Sequence, residues 1–169
     1  FAERAFGEFK DKYITFSNRP QLVDFSNAKT LHDKIGIALR HNEVADTNIE
    51  ATFDLILQTA VNNHMSQEDM PKNVLIVSDM EFNAATGYGH YANETLFTTI
   101  AKKYAAYGYK LPRLVFWNVN SRTGTIPVKE NDLGVALVSG FSVNIAKMVM
   151  SGKTDPFECL LETLNSERY

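Results

Sequence analysis

The sequence predicts an α/β fold in which a mostly parallel sheet carries helices on both faces and one antiparallel strand lies at an edge. Three observations predict it. The runs NVLIVS (73–78), RLVFWN (113–118) and GVALVSG (134–140) are short and continuously apolar, the pattern of strands buried on both faces. Segments with apolar residues at helical spacing alternate with these runs. Early in the chain, KYITFS and QLVDF flank Asn18, Arg19 and Pro20. Two short apolar runs about such a turn signal read as a β-hairpin, which supplies the antiparallel strand.

Taken in order, FAERAFGEFK has apolar residues at positions 1, 2, 5, 6 and 9, which predicts a helix. That pattern begins on Phe1, with no initiator Met and nothing to cap it. The expectation is a single domain over residues 1–169 that forms a C-terminal part of a longer protein. The hairpin strands are expected at Lys12–Ser17 and Gln21–Phe25. In TLHDKIGIALRHN, Leu31, Ile35 and Leu39 share one helical face. DTNIEATFDLILQTAVNNHM is the clearest helix, with Ile49, Phe53, Ile56, Leu57, Ala60 and Val61 at the required spacing. Its start resembles a capping box, Thr47 standing three residues before Glu50.

After the first buried strand, Glu81–Asn93 contains Gly87 and Gly89 and reads as a loop over the strand end. ETLFTTIAKKYAAYG is a helix closed by Gly108 at the position favoured for a C-cap. RLVFWN follows Pro112, and the polar SRTGTIPVKEN has room for a small β excursion. GVALVSG leads to the helix SVNIAKMVMSG. Asp155, Pro156 and Glu158 then supply an N-cap, a first-turn proline and an N3 acid for a last helix running to about Glu167.

Hydrophobic residues make up 44% of the 169 and charged residues 22%, which suits a globular protein with a real core. A net charge of −3 gives no general attraction to nucleic acid or to a membrane. The single Cys159 cannot form an internal disulfide and reads as a buried structural thiol. With no disulfide framework and no apolar stretch of ~18 residues, a soluble cytoplasmic protein is expected. His32, His41, His64 and His90 have no partners at zinc spacing, so surface or capping roles are expected of them. No glycine-rich phosphate loop follows a strand, and no Ser/His/Asp set is arranged for nucleophilic attack.

What remains is chemistry at strand ends, where ligands sit in open α/β sheets. Asp79 directly follows NVLIVS, and Glu81 comes two residues later. Asn118 and Ser139 end the other two runs and could line the same rim. The pair DTNIEATFDLIL and VLIVSDMEF resembles two of the three motifs of the von Willebrand factor A domain. SDMEF and RLVFWNVN are most similar to the A domains of the Ro (TROVE) RNA-binding proteins and of uncharacterised microbial and viral relatives. Through element order, the resemblance extends over nearly the whole chain. It implies a three-layer α/β/α, Rossmann-like fold.

In that family a metal-ion-dependent adhesion site holds Mg²⁺ or a similar hard cation. The ligands are an Asp-x-Ser-x-Ser loop, a threonine from a second loop and an aspartate at the next strand end. Carried over residue by residue, Thr47 matches the threonine and Asp79 the aspartate. Asp-x-Ser-x-Ser occurs nowhere in the sequence. Its nearest match, Asp24-Phe25-Ser26-Asn27-Ala28, lacks the second serine and lies too close to Thr47 for the intervening elements. The resemblance therefore implies a partial site, Thr47 and Asp79, whose first strand and main loop lie upstream. On its own such a set should bind Mg²⁺ weakly or not at all.

Three readings follow. The first is a non-catalytic interaction module that holds a protein partner through a metal or its strand-end rim, its sheet completed by an upstream strand or another chain. The second is a Mg²⁺-dependent phosphotransfer or nuclease enzyme using Asp79 and Glu81, which needs further carboxylates where Asn118 and Ser139 stand. The third is an RNA-associated protein, by analogy with the Ro relatives alone. Structural roles stay open as well: Thr47 as an N-cap, and Asp79 as a turn residue.

Overall fold

The structure, a computed structural model, describes residues 1–15, 17–42, 48–78, 89–119, 128–130, 136–139, 157–158, 161 and 164–165. The chain divides into two compact units, Phe1–Pro71 with Ala85–Leu111, and Lys72–Ala84 with Pro112–Tyr169.

In the first unit the opening segment departs from the expected helix. It forms two short 3₁₀ turns, Ala2–Arg4 and Gly7–Phe9. Ala5 is extended between them (φ −70°, ψ 162°) and Gly7 takes φ +57°, and an α-helix can pass through neither conformation. Of the three phenylalanines here only Phe9 is buried, and Phe6 is 84% exposed.

The hairpin forms as expected in kind but is shorter. Strands β1 (Lys12–Ile14) and β2 (Leu22–Asp24) pair antiparallel, with Tyr13 opposite Val23. Thr15 closes the turn twice, its N–H donating to the Gln21 carbonyl at 3.0 Å and its hydroxyl accepting the Gln21 N–H at 2.8 Å. The Tyr13 and Phe25 rings stack at 5.0 Å. These two strands make a separate two-stranded sheet, so the hairpin is not the antiparallel edge of the larger one.

Helix α1 (Leu31–Arg40) starts at a full capping box: Thr30 accepts from the Asp33 N–H while the Asp33 carboxylate accepts from the Thr30 N–H. The stripe Leu31, Ile35 and Leu39 is on one face, but at 74%, 49% and 66% exposure it is not a core face.

Helix α2 (Ile49–Asn62) buries Ile49, Phe53, Ile56, Leu57 and Ala60, and it packs on α3 (Gly89–Ala106). The helix α3 begins at Gly89, inside the stretch expected to be loop. Phe53 meets Phe97 and Tyr104 edge-on at 6.3 and 6.2 Å, and burying a ring of that size is worth about 1.5–3 kcal/mol. The Tyr104 hydroxyl donates to the Phe53 carbonyl at 2.8 Å, and burial pushes its pKa well above the ordinary tyrosine value. Gly108, at φ +81°, ends α3 as expected, with the Tyr109 N–H reaching back to the Tyr104 carbonyl.

The second unit holds a four-stranded sheet in the order β3 (Asn73–Ser78), β4 (Arg113–Asn118), β6 (Ala136–Ser139), β5 (Val128–Glu130). Strands β3, β4 and β6 are parallel neighbours, which fits the three apolar runs, and β5 pairs antiparallel with β6. The antiparallel edge therefore comes from the polar segment after Asn118. Leu114, Val115, Trp117 and Val138 are buried on the central strands. Among the described residues β3 pairs with β4 alone, and Val77 is 52% exposed, so β3 is not buried on both faces.

Phe157, Glu158, Leu161 and Leu164 are helical and exposed. The expected helix after GVALVSG, the start of the last helix and Cys159 lie outside the described residues. The protein is a mixed α/β structure.

Candidate functional site

The strand register builds the candidate site from the sheet upward. Ser78 pairs with Asn118, and Asn118 with Ser139. By backbone register these three residues form one row across the carboxyl ends of three adjacent strands. Asn118 is half-buried there. The next residue after β3 is Asp79. Asp79, Glu81 and Thr47 themselves all lie outside the described residues.

The flank of Thr47 is described, and it revises one expectation. The N-cap of α2 is Asn48, whose side-chain oxygen accepts the Ala51 N–H at 2.9 Å. The capping box expected of Thr47 and Glu50 is therefore not the one that starts the helix. Glu50 instead accepts from the Lys103 ammonium at 2.6 Å, and Asp54 accepts from the same ammonium at 3.2 Å. The hydrogen bonds that Lys103 donates to Glu50 first and Asp54 second raise its pKa above the usual value. Asn48 is also anchored by its own N–H, which donates to the Ser17 carbonyl at 3.4 Å. The Ser17 hydroxyl is buried and has no hydrogen-bond partner among the described residues.

Asn48 carried a readable signal, since Asn heads the list of capping residues and directly precedes the apolar periodicity. Lys103 carried none. Its carboxylate partners lie some fifty positions away in sequence, and only the packing of α2 on α3 joins them.

A shallow groove of ≈ 450 Å³ lies beside this ion cluster, lined by Leu57, Val61 and Tyr107 with Asp54 and Lys103 at one end. No group of three or more His, Cys, Asp or Glu side chains that could hold a metal occurs among the described residues. The histidines that are described keep to surface roles: His32 and His64 are exposed, and His41 shares a hydrogen bond with Gln21. No helix among the described residues is long and apolar enough to cross a membrane.

Comparison with known proteins gives relatives without a described role. The chain is 30% identical over 165 residues to the uncharacterised protein L728 of Acanthamoeba polyphaga mimivirus, covering 96% of this chain and 28% of that protein. It thus spans little more than a quarter of the length of that relative. No solved structure matches. A family profile described as "Domain of unknown function (DUF7788)" matches residues 2–167, and with nearly every residue inside that match the chain belongs to this family.

Proposed function

We propose that the chain is a non-catalytic interaction module of von Willebrand factor A type. On this reading Thr47 and Asp79 are two ligands of a divalent-cation site, with Mg²⁺ as the candidate metal and a protein as the partner. The observation that carries it is the row Ser78–Asn118–Ser139, three neutral residues abreast at the strand ends with Asp79 as the next residue on the chain. Metal-assisted phosphoryl or nuclease chemistry needs several carboxylates around its ions, and the neighbouring strands offer an amide and a hydroxyl instead. A hard cation next to one carboxylate and neutral oxygens keeps water and open positions, which suits reversible engagement of a partner. Two further observations support the reading. The parallel neighbours β3, β4 and β6 fit the expected order of the three apolar runs. Asn48 fills the capping role that would otherwise account for a threonine at 47.

The experiment that tests it is a phosphodiesterase and phosphatase assay of the natural full-length protein with Mg²⁺ and Mn²⁺. No turnover above background is expected. Metal-dependent turnover abolished by Asp79→Ala would replace the module with an enzyme.

A further inference from the structure

We propose that the exposed apolar stripe of α1 docks into the groove beside α2 on a second copy of this chain, so that copies associate head to tail. Leu31, Ile35 and Leu39 stand one helical turn apart on α1, and all three are exposed. The groove of ≈ 450 Å³ is lined by Leu57, Val61 and Tyr107, with Asp54 and Lys103 at one end. Stripe and groove belong to the same compact unit, so every copy carries both halves of the contact.

Length, side-chain type and charge each match. Leu31 to Leu39 on α1 and Asp54 to Asn62 on α2 cover the same distance, about 12 Å at ~1.5 Å per residue. An amphipathic helix laid into an apolar groove anchors through side chains one turn apart, which Leu31, Ile35 and Leu39 provide. Charge selects the copy as the occupant. The helix α2 carries Glu50 and Asp54 and no basic residue. Lys103 offsets only one of these two carboxylates, which leaves that end of the groove net negative. At α1, Lys34 is taken up by Glu3, whereas Lys29 and Arg40 flank the stripe exposed and without an ion pair among the described residues. Laying α1 antiparallel to α2 sets Arg40 beside Asp54 and Glu50 and brings Leu31 to Val61. It also brings the negative end of one helix dipole to the positive end of the other. Stripe and groove are different patches, so the contact is heterologous and leaves one of each open on any pair. It uses neither Thr47 nor Asp79 and is independent of the cation reading.

The test is sedimentation velocity of the natural full-length protein, with one fluorescently labelled chain titrated by unlabelled chains. Ile35→Glu breaks the stripe and keeps the groove, and Tyr107→Lys breaks the groove and keeps the stripe. Thermal melts establish that each variant folds, and Leu31→Glu, at the most exposed stripe position, replaces Ile35→Glu should that variant not fold. Labelled Ile35→Glu is expected to bind the Tyr107→Lys chain roughly tenfold or more tightly than it binds itself, and Tyr107→Lys should bind itself as weakly. Adding Arg40→Glu to the Tyr107→Lys chain should weaken the mixed pair about threefold at low salt. Equal affinity in the three pairings, or no association of the wild type, overturns the proposal and leaves the stripe to a different partner. Association that Ile35→Glu abolishes and Tyr107→Lys does not touch also overturns it, in favour of a two-fold contact between α1 helices. A mixed pair indifferent to Arg40→Glu contradicts the charge match that selects the occupant.

Discussion

The Asn48 side-chain oxygen accepts the Ala51 N–H at 2.9 Å, which satisfies a backbone donor at the start of α2 one residue after Thr47. Removing such a cap typically costs about 1 kcal/mol. Asn48→Ala should therefore destabilise the protein by about that amount in urea denaturation, while Thr47→Ala should stay within about 0.5 kcal/mol of wild type. The opposite ranking would return Thr47 to a capping role and weaken its case as a ligand.

Lys103 ties the first turns of α2 to the last turn of α3 through Glu50 and Asp54. Its folded pKa is raised, so the stabilisation is fully present below the unfolded value near 10.5 and is lost as pH rises through the folded value. The three side chains are more than a third exposed, and solvent screening limits the cluster to below about 1 kcal/mol. Lys103→Gln should thus be slightly less stable than wild type at pH 7, and the gap should close only in strong alkali. A gap that vanished between pH 7 and 9 would show that the ion cluster is not its source.

Much of the backbone plan was legible because burial leaves a direct mark on sequence. Leu114, Val115 and Trp117 sit in a continuous apolar run, and that run is a central parallel strand. Phe53, Ile56, Leu57 and Ala60 recur at helical spacing, and they are the buried face of α2. The same reasoning misled at Leu31, Ile35 and Leu39, where periodicity marks an apolar face but cannot say what covers it. It misled again at FAERAFGEFK, because spacing is blind to the backbone conformations of Ala5 and Gly7. It also gave the antiparallel edge to the wrong segment, since short polar Val128–Glu130 has little intrinsic strand signal and is held by its pairing with β6. Of the site, Asn118 and Ser139 were legible as strand ends. Their alignment with Ser78 was not, because register is a property of the pairing between strands.

The outer edge of β3 has no strand beside it among the described residues. Asn73–Ser78 has no charge and no proline, and among the described residues it pairs on one side only. Such edges invite another strand, and each buried backbone group left unpaired costs about 1–3 kcal/mol. Another strand, from elsewhere in the protein or from a second copy, should therefore cover it. Hydrogen exchange should find the outward amides of β3 protected in the natural full-length protein. In a polypeptide of residues 1–169 they should exchange faster, with self-association that Val77→Lys suppresses. Rapid exchange in both would mean that β3 is a true edge and that no strand is missing beside it.

The cation site proposed at Thr47 and Asp79 is tested most directly by titrating Mg²⁺ into the natural full-length protein and its Asp79→Ala variant by calorimetry. Binding in the wild type that Asp79→Ala abolishes is the expected result, with the melting transition of the metal-free variant little changed, because a residue just past a strand end adds little to the core. Equal Mg²⁺ affinity in the two proteins would contradict it and leave Asp79 as a turn residue.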